Sequence, residues 1–148
     1  MTNETKSGIP MYMLFILALL GVPRVLAHDL KWLESGDVVN MLLVFIPPIV
    51  WLCIVLWKGR QDVFKSLLFI GIFYGVLLGI IHQILWATAF DSPPVLGGNL
   101  SDLSPAAVSI LARTFGFTSS LATGAVIGAV LGFIGTFFRR IMPANGVR

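Results

Sequence analysis

The sequence is short of charge and of the residues that build chemical sites. Charged residues make up 11% of its 148 residues, cysteine occurs once and histidine twice. Because Cys53 has no second cysteine to pair with, an intrachain disulfide and a cysteine metal cluster are both excluded. Zinc-finger, Rossmann and P-loop patterns are absent as well. These absences argue against a metal site, a bound cofactor and a nucleic-acid partner.

Apolar residues take the place of charge. They make up 57% of the chain, and the mean hydropathy is +0.92, a composition that a water-soluble surface does not allow. Four apolar stretches can be compared with the roughly 20 residues that a helix needs to cross the hydrocarbon core. We therefore predict an all-α membrane protein, a small bundle of four transmembrane helices, with the lipid bilayer as its surroundings. The stretches cover residues 9–27, 38–57, 67–89 and 114–138.

The first stretch has two interpretations. Residues 1–27 contain a short apolar core behind Lys6, followed by Pro23 and a small residue, Ala27, which is typical of a secretory signal peptide cleaved before His28. Against cleavage, Glu4 weakens the basic leader, and Arg24 is able to reach the interface from the end of an ordinary helix. Cleavage would leave three spans. Residues 28–148 are predicted to form a single helical membrane domain under either interpretation.

Basic residues predict the orientation of the bundle in a cell membrane. They gather in the link between the second and third stretches and after the fourth: Lys58, Arg60, Lys65, Arg139 and Arg140. Since cytoplasmic ends carry an excess of Lys and Arg, both places and the carboxyl terminus are predicted to be cytoplasmic. The links 28–37 and 91–105 then lie on the outer side. Ser104 and Pro105 form a helix-start signal, so the last helix is expected to begin before its membrane span.

Small residues recur every fourth position in two of the stretches, in the GxxxG pattern that lets helices approach closely inside a bilayer. The predicted packing residues are Gly71, Gly75, Gly79, Gly124, Gly128 and Gly132. Pairing the ends of the third and fourth stretches places Gly75 level with residue 129. We therefore expect these two helices to pack against each other in antiparallel fashion.

Polar residues inside the stretches mark one candidate site. His82 continues the glycine face of its helix toward the outer side, and the same depth matching places hydroxyl groups near it. The candidate polar site comprises His82, Gln83, Ser119, Ser120 and Thr123. Two interpretations are open: a functional imidazole that responds to protons or binds substrate, or a neutral histidine that joins helices by hydrogen bonds.

Two further features are open to both functional and structural interpretation. Pro47 and Pro48 lie midway along the second stretch, where they are predicted to kink or break the helix and free the carbonyls of Leu43 and Val44. Asp91 and Arg113 are predicted to form a salt bridge at the outer border. Trp51 lies deeper in its span than the interfacial tryptophans and fits no interface pattern.

Three functions remain compatible with these residues. The first is a non-enzymatic accessory or assembly subunit that forms a homo-oligomer or joins a larger membrane complex through its glycine faces. The second is a small oligomeric transporter or channel in which His82 and the break at Pro47 and Pro48 line the path. A membrane-embedded enzyme ranks last, because the spans offer neither catalytic residues nor a metal set.

Overall fold

The computed structural model describes residues 8–34, 36–58, 62–89 and 97–141. In these ranges the regular elements are all helical. They are α1 (Met11–Leu19), α2 (Val22–Asp29), α3 (Val38–Lys58), α4 (Val63–Ile84), α5 (Trp86–Ala89), a 3-10 turn (Gly98–Leu100) and α6 (Pro105–Ile141). Four segments are long and apolar enough to cross a membrane: Met11–Asp29, Val38–Lys58, Val63–Ile84 and Pro105–Ile141. The predicted all-α bundle of four membrane-spanning segments is thereby confirmed.

The first span is two helices joined by a tight turn. Leu20 and Gly21 donate to the carbonyls of Leu17 and Ala18 at 3.1 Å each, which is the i to i+3 pattern of a 3-10 turn. Pro23 follows two residues after Gly21. It has no backbone N–H to donate to the Leu19 carbonyl, as a continuous α-helix would require. The interruption of a span by proline therefore occurs in the first span.

The predicted break in the second span is wrong. α3 remains helical from Val38 to Lys58 with Pro47 and Pro48 inside it. Each proline lacks the backbone N–H that would donate to the carbonyl one turn earlier. The turns before and after the prolines keep their hydrogen bonds, so a helix inside a packed bundle tolerates the missing ones. Pro47 is buried, which means that neighbouring helices cover this part of α3.

The most intimate packing is between α4 and α6, which run antiparallel. A Cβ atom added to Gly124 would lie 2.5 Å from the Gly75 nitrogen, and one added to Gly71 would lie 2.6 Å from the Gly128 Cα. Nearer one end, Gly132 faces Phe64, and nearer the other, Gly79 faces Phe117. The backbones are therefore so close that only glycine fits at the centre.

The register of this pair differs from the prediction. Gly75 lies between Leu121 and Gly124, whereas depth matching predicted residue 129, which is about 8 to 12 Å further along α6. The apolar stretch 67–89 was a poor guide to the helix, because α4 begins at Val63 and ends at Ile84. α6 also begins earlier than its apolar stretch, where Ser104 Oγ accepts a hydrogen bond from the Ala107 amide at 3.4 Å.

The remaining helices pack around this pair. Trp51 from α3 is 1% exposed, and its indole nitrogen donates to the Leu17 carbonyl at 2.7 Å. Its ring lies 5.6 Å from the ring of Tyr74 on α4. Gly21 packs against the same tyrosine ring, because a Cβ atom added to Gly21 would lie 2.5 Å from Tyr74 Cε2. The deep tryptophan that fits no interface pattern thus holds the turn of the first span against α4.

Candidate functional site

The central feature of the candidate site is a hydrogen bond between α2 and α4. His82 Nδ1 lies 2.5 Å from Asp29 Oδ2, and Asp29 is 2% exposed. Asp29 is the last residue of the first candidate span. The predicted first stretch, residues 9–27, therefore ends too early, and Asp29 belongs to the buried part of the bundle rather than to the link 28–37.

A second imidazole contacts the same carboxylate. His28 Nδ1 lies 3.4 Å from Asp29 Oδ1, and the His28 side chain is about half exposed at 49%. With Asp29 ionised, both imidazoles carry their proton on Nδ1 and donate it to the carboxylate. In the neutral form of each ring, Nε2 is then left as an acceptor. Among the described residues, no lysine or arginine forms an ion pair with Asp29.

The end of α2 is held in place by its backbone. The Lys31 and Trp32 amides donate to the carbonyls of His28 and Ala27 at 3.0 and 2.9 Å, and Lys31 has a φ of 57°. This is the Schellman arrangement, in which a left-handed residue closes a helix. The arrangement fixes the end of α2, where Asp29 is the last helical residue. From this position the Asp29 side chain contacts His82 on α4.

A cavity of about 290 Å³ opens beside the Asp29 and His82 pair. Its walls come from α2, α4, α5 and α6: His28, Asp29, His82, Trp86, Gly116, Ser119 and Ser120. Ser120 Oγ donates to the Gly116 carbonyl at 2.7 Å, so its lone pairs remain available as acceptors. The cavity thus combines a buried carboxylate, imidazole and hydroxyl groups with one indole ring.

The predicted polar residues divide between this cavity and its surroundings. His82, Ser119 and Ser120 line it, whereas Thr123 is exposed and is not among the residues of its wall. Gln83 instead donates to the Arg113 carbonyl at 3.0 Å. The depth matching thus grouped part of the site correctly in space, even though its register was displaced.

Among the described residues, Arg113 contacts Gln83 and Trp86. Its guanidinium donates to the Gln83 carbonyl and Oε1, each at 3.3 Å, and lies 4.9 Å from the Trp86 ring. Asp91, its predicted partner, lies outside the described residues. Arg113 therefore joins α6 to the end of α4 and to α5, next to the cavity wall.

A second, smaller cavity of about 50 Å³ lies deeper in the bundle. Gly21, Leu43, Val44, Pro47, Pro48 and Arg24 are among its lining residues. Arg24 Nε is buried and has no hydrogen-bond partner among the described residues. Leu43 and Val44, whose carbonyls lose their donors to the prolines, therefore line the same cavity as Arg24. The cavity has room for about one or two water molecules.

No group of three or more metal-ligating side chains occurs in the described part of the chain. His28 and His82 each direct Nδ1 toward an oxygen of the Asp29 carboxylate.

Fold and site together define a small α-helical membrane-spanning protein with a polar cavity at one end of its bundle. No protein-family model, curated protein or solved structure matches this chain.

Proposed function

We propose that this protein is a non-enzymatic accessory subunit of a membrane assembly and that its contribution is to bind a small polar ligand in the His82 cavity. The observation that carries the proposal is the buried Asp29 carboxylate between two imidazoles, beside a cavity of about 290 Å³. Ionisable groups inside membrane segments are costly to bury and usually serve function. A bundle built only for packing has no need of one.

The side from which the ligand enters follows from the charge distribution. Lys65 lies near the start of α4, and Arg139 and Arg140 close α6, whereas His82 lies near the end of α4. Under the positive-inside rule, the basic end is cytoplasmic and the cavity belongs to the outer side of the cell membrane. The proposed ligand is therefore one that reaches the protein from outside.

Neither serine of the cavity wall is hydrogen-bonded to His82 among the described residues, which favours a binding role over an enzymatic one. An imidazole held by a carboxylate is the arrangement of a general base, but the Ser120 hydroxyl donates to the Gly116 carbonyl instead of His82. Ser119 has no hydrogen-bond partner among the described residues. A binding role requires only the hydrogen-bonding groups that are present.

Assembly with other chains is proposed on the basis of α3. This helix contributes few residues to the core, and its outward side chains are large and apolar: Val39, Leu42, Phe45, Ile46 and Ile49. Such a face suits either lipid or the helix of another subunit, including a second copy of this chain.

A transporter or channel is the second candidate, and the Arg24 cavity favours it. Tyr74, which lines that cavity, precedes His82 by two turns of α4, or about 12 Å. Val25 and Leu78 lie between the two levels and are both buried in the core. A transport path would require these two side chains to separate, and solute flux into proteoliposomes distinguishes this candidate from a binding subunit.

The binding proposal is tested with the full chain in nanodiscs and a panel of small cationic, anionic and neutral solutes. At least one solute should raise the thermal stability of the wild type, by about 2.7 kcal/mol at a hundredfold excess over its Kd. Asp29→Asn should abolish the effect. The exposed Asp102 provides the control, because Asp102→Asn should respond as the wild type does. A panel that stabilises nothing, or stabilises Asp29→Asn equally, would contradict the proposal.

A further inference from the structure

We propose that the ligand of the His82 cavity is a small cation with N–H donors, a primary ammonium group such as that of an alkylamine. This inference rests on the binding role proposed above and specifies its chemistry. It follows from the charge of the cavity wall, from the balance of donors and acceptors there, and from the aromatic side chain.

The charge of the wall is negative. Among the described residues that line the cavity, Asp29 alone carries a fixed formal charge, and neither lysine nor arginine is present. In their neutral form, the two imidazoles add no charge to the wall, and each directs Nδ1 toward the carboxylate. A cation entering the cavity therefore meets the negative charge of Asp29, which is itself buried, and electrostatic attraction to a buried charge is stronger than in bulk solvent.

The wall is also rich in acceptors. With Nδ1 of His82 committed to Asp29, Nε2 of the same ring is an acceptor. Ser120 has committed its proton to the Gly116 carbonyl, so its oxygen also faces the cavity as an acceptor. Each oxygen of Asp29 receives one imidazole and retains a further lone pair. A primary ammonium group carries three N–H donors and no acceptor, which complements this set.

Trp86 provides the apolar part of the wall. Its ring already accepts one cation, since the Arg113 guanidinium lies 4.9 Å from the ring centroid. An indole beside a carboxylate suits an ammonium group with a short alkyl chain, because the chain gains apolar contact while the charge meets Asp29. The Arg113 guanidinium itself does not line the cavity and is hydrogen-bonded to Gln83.

The test uses wild-type protein in phosphatidylcholine nanodiscs, titrated with ethylammonium and followed by tryptophan fluorescence and calorimetry. Tetramethylammonium carries the charge without N–H donors, acetamide carries N–H donors without charge, and acetate has the opposite charge. Ethylammonium should bind saturably, at least tenfold more tightly than the three controls. Asp29→Asn should weaken it at least tenfold, as expected for the loss of a charge-assisted hydrogen bond, and Asp102→Asn should leave it unchanged.

The outcomes separate this inference from the proposed function. If acetate or acetamide binds in an Asp29-dependent way and ethylammonium does not, the cation is wrong and the binding role stands. If tetramethylammonium binds as tightly as ethylammonium, the N–H donors are irrelevant and the inference is overturned. Absence of ethylammonium binding to the wild type overturns it as well, without recourse to any variant that might fail to fold.

Discussion

Gly124→Ala is expected to lower the free energy of unfolding by about 3 kcal/mol, at the upper end of the cost of overpacking. The added Cβ would lie 2.5 Å from the nitrogen and 2.6 Å from the Cα of Gly75. Both are backbone atoms, so no side chain is able to turn away, and α4 and α6 must separate. Gly124→Leu should prevent the native pair from forming. Reversible unfolding in mixed micelles, followed by circular dichroism, measures the loss.

Gly116 is the matched control, because it belongs to the same four-residue ladder on α6. A Cβ added there would meet only Trp86, at 3.4 Å, which is ordinary contact. Gly116→Ala should therefore change stability by no more than about 1 kcal/mol, and alanine's better helix propensity acts in its favour. Equal losses at Gly116 and Gly124 would show that the ladder does not mark the helix contact.

Trp51→Ala is expected to cost about 3 to 5 kcal/mol, the range for removing a large buried aromatic side chain. Trp51 is among the largest fully buried side chains and joins three helices through its contacts with Leu17 and Tyr74. Equilibrium unfolding in mixed micelles again provides the measurement.

Trp51→Phe divides that cost into two parts. Phenylalanine keeps one ring in the contact and loses the hydrogen bond to Leu17 and part of the indole volume, so it should cost about 1 to 3 kcal/mol. If Trp51→Phe is as damaging as Trp51→Ala, the hydrogen bond dominates. If neither variant is destabilised, the first span does not pack on α3 as described.

Much of the fold follows from the composition and from the residues that mark the ends of helices. The apolar stretches predicted four spans because a membrane requires about 20 apolar residues per crossing. Ser104 and Pro105 predicted the start of α6 because the cap satisfies backbone amides locally. The helix register was out of reach, because apolar stretches do not end where helices end. α4 stops at Ile84, before the end of its apolar stretch.

The site was only half accessible to sequence reasoning. His82 is identifiable as a polar residue in an apolar span, and depth matching places Ser119 and Ser120 near it. The sequence prediction does not include Asp29 in the site, because the first apolar stretch ends at Ala27. Yet a buried stripe at helical spacing leads to it: Leu14, Ala18, Gly21, Val25 and Asp29. Continuing that stripe would have identified the carboxylate, but not its partner 53 residues away.

The contact between Asp29 and His82 is the basis of the proposed site, and a double-mutant cycle on this pair tests it most directly. Stability would be measured for the wild type, Asp29→Ala, His82→Ala and the double variant in the same mixed micelles. Residues in direct contact typically show a coupling of about 0.5 to 3 kcal/mol. For this buried pair, a coupling of at least about 1 kcal/mol is the expected result. If the loss of stability in the double variant equals the sum of the two single losses within about 0.3 kcal/mol, the contact is contradicted and with it the proposed site.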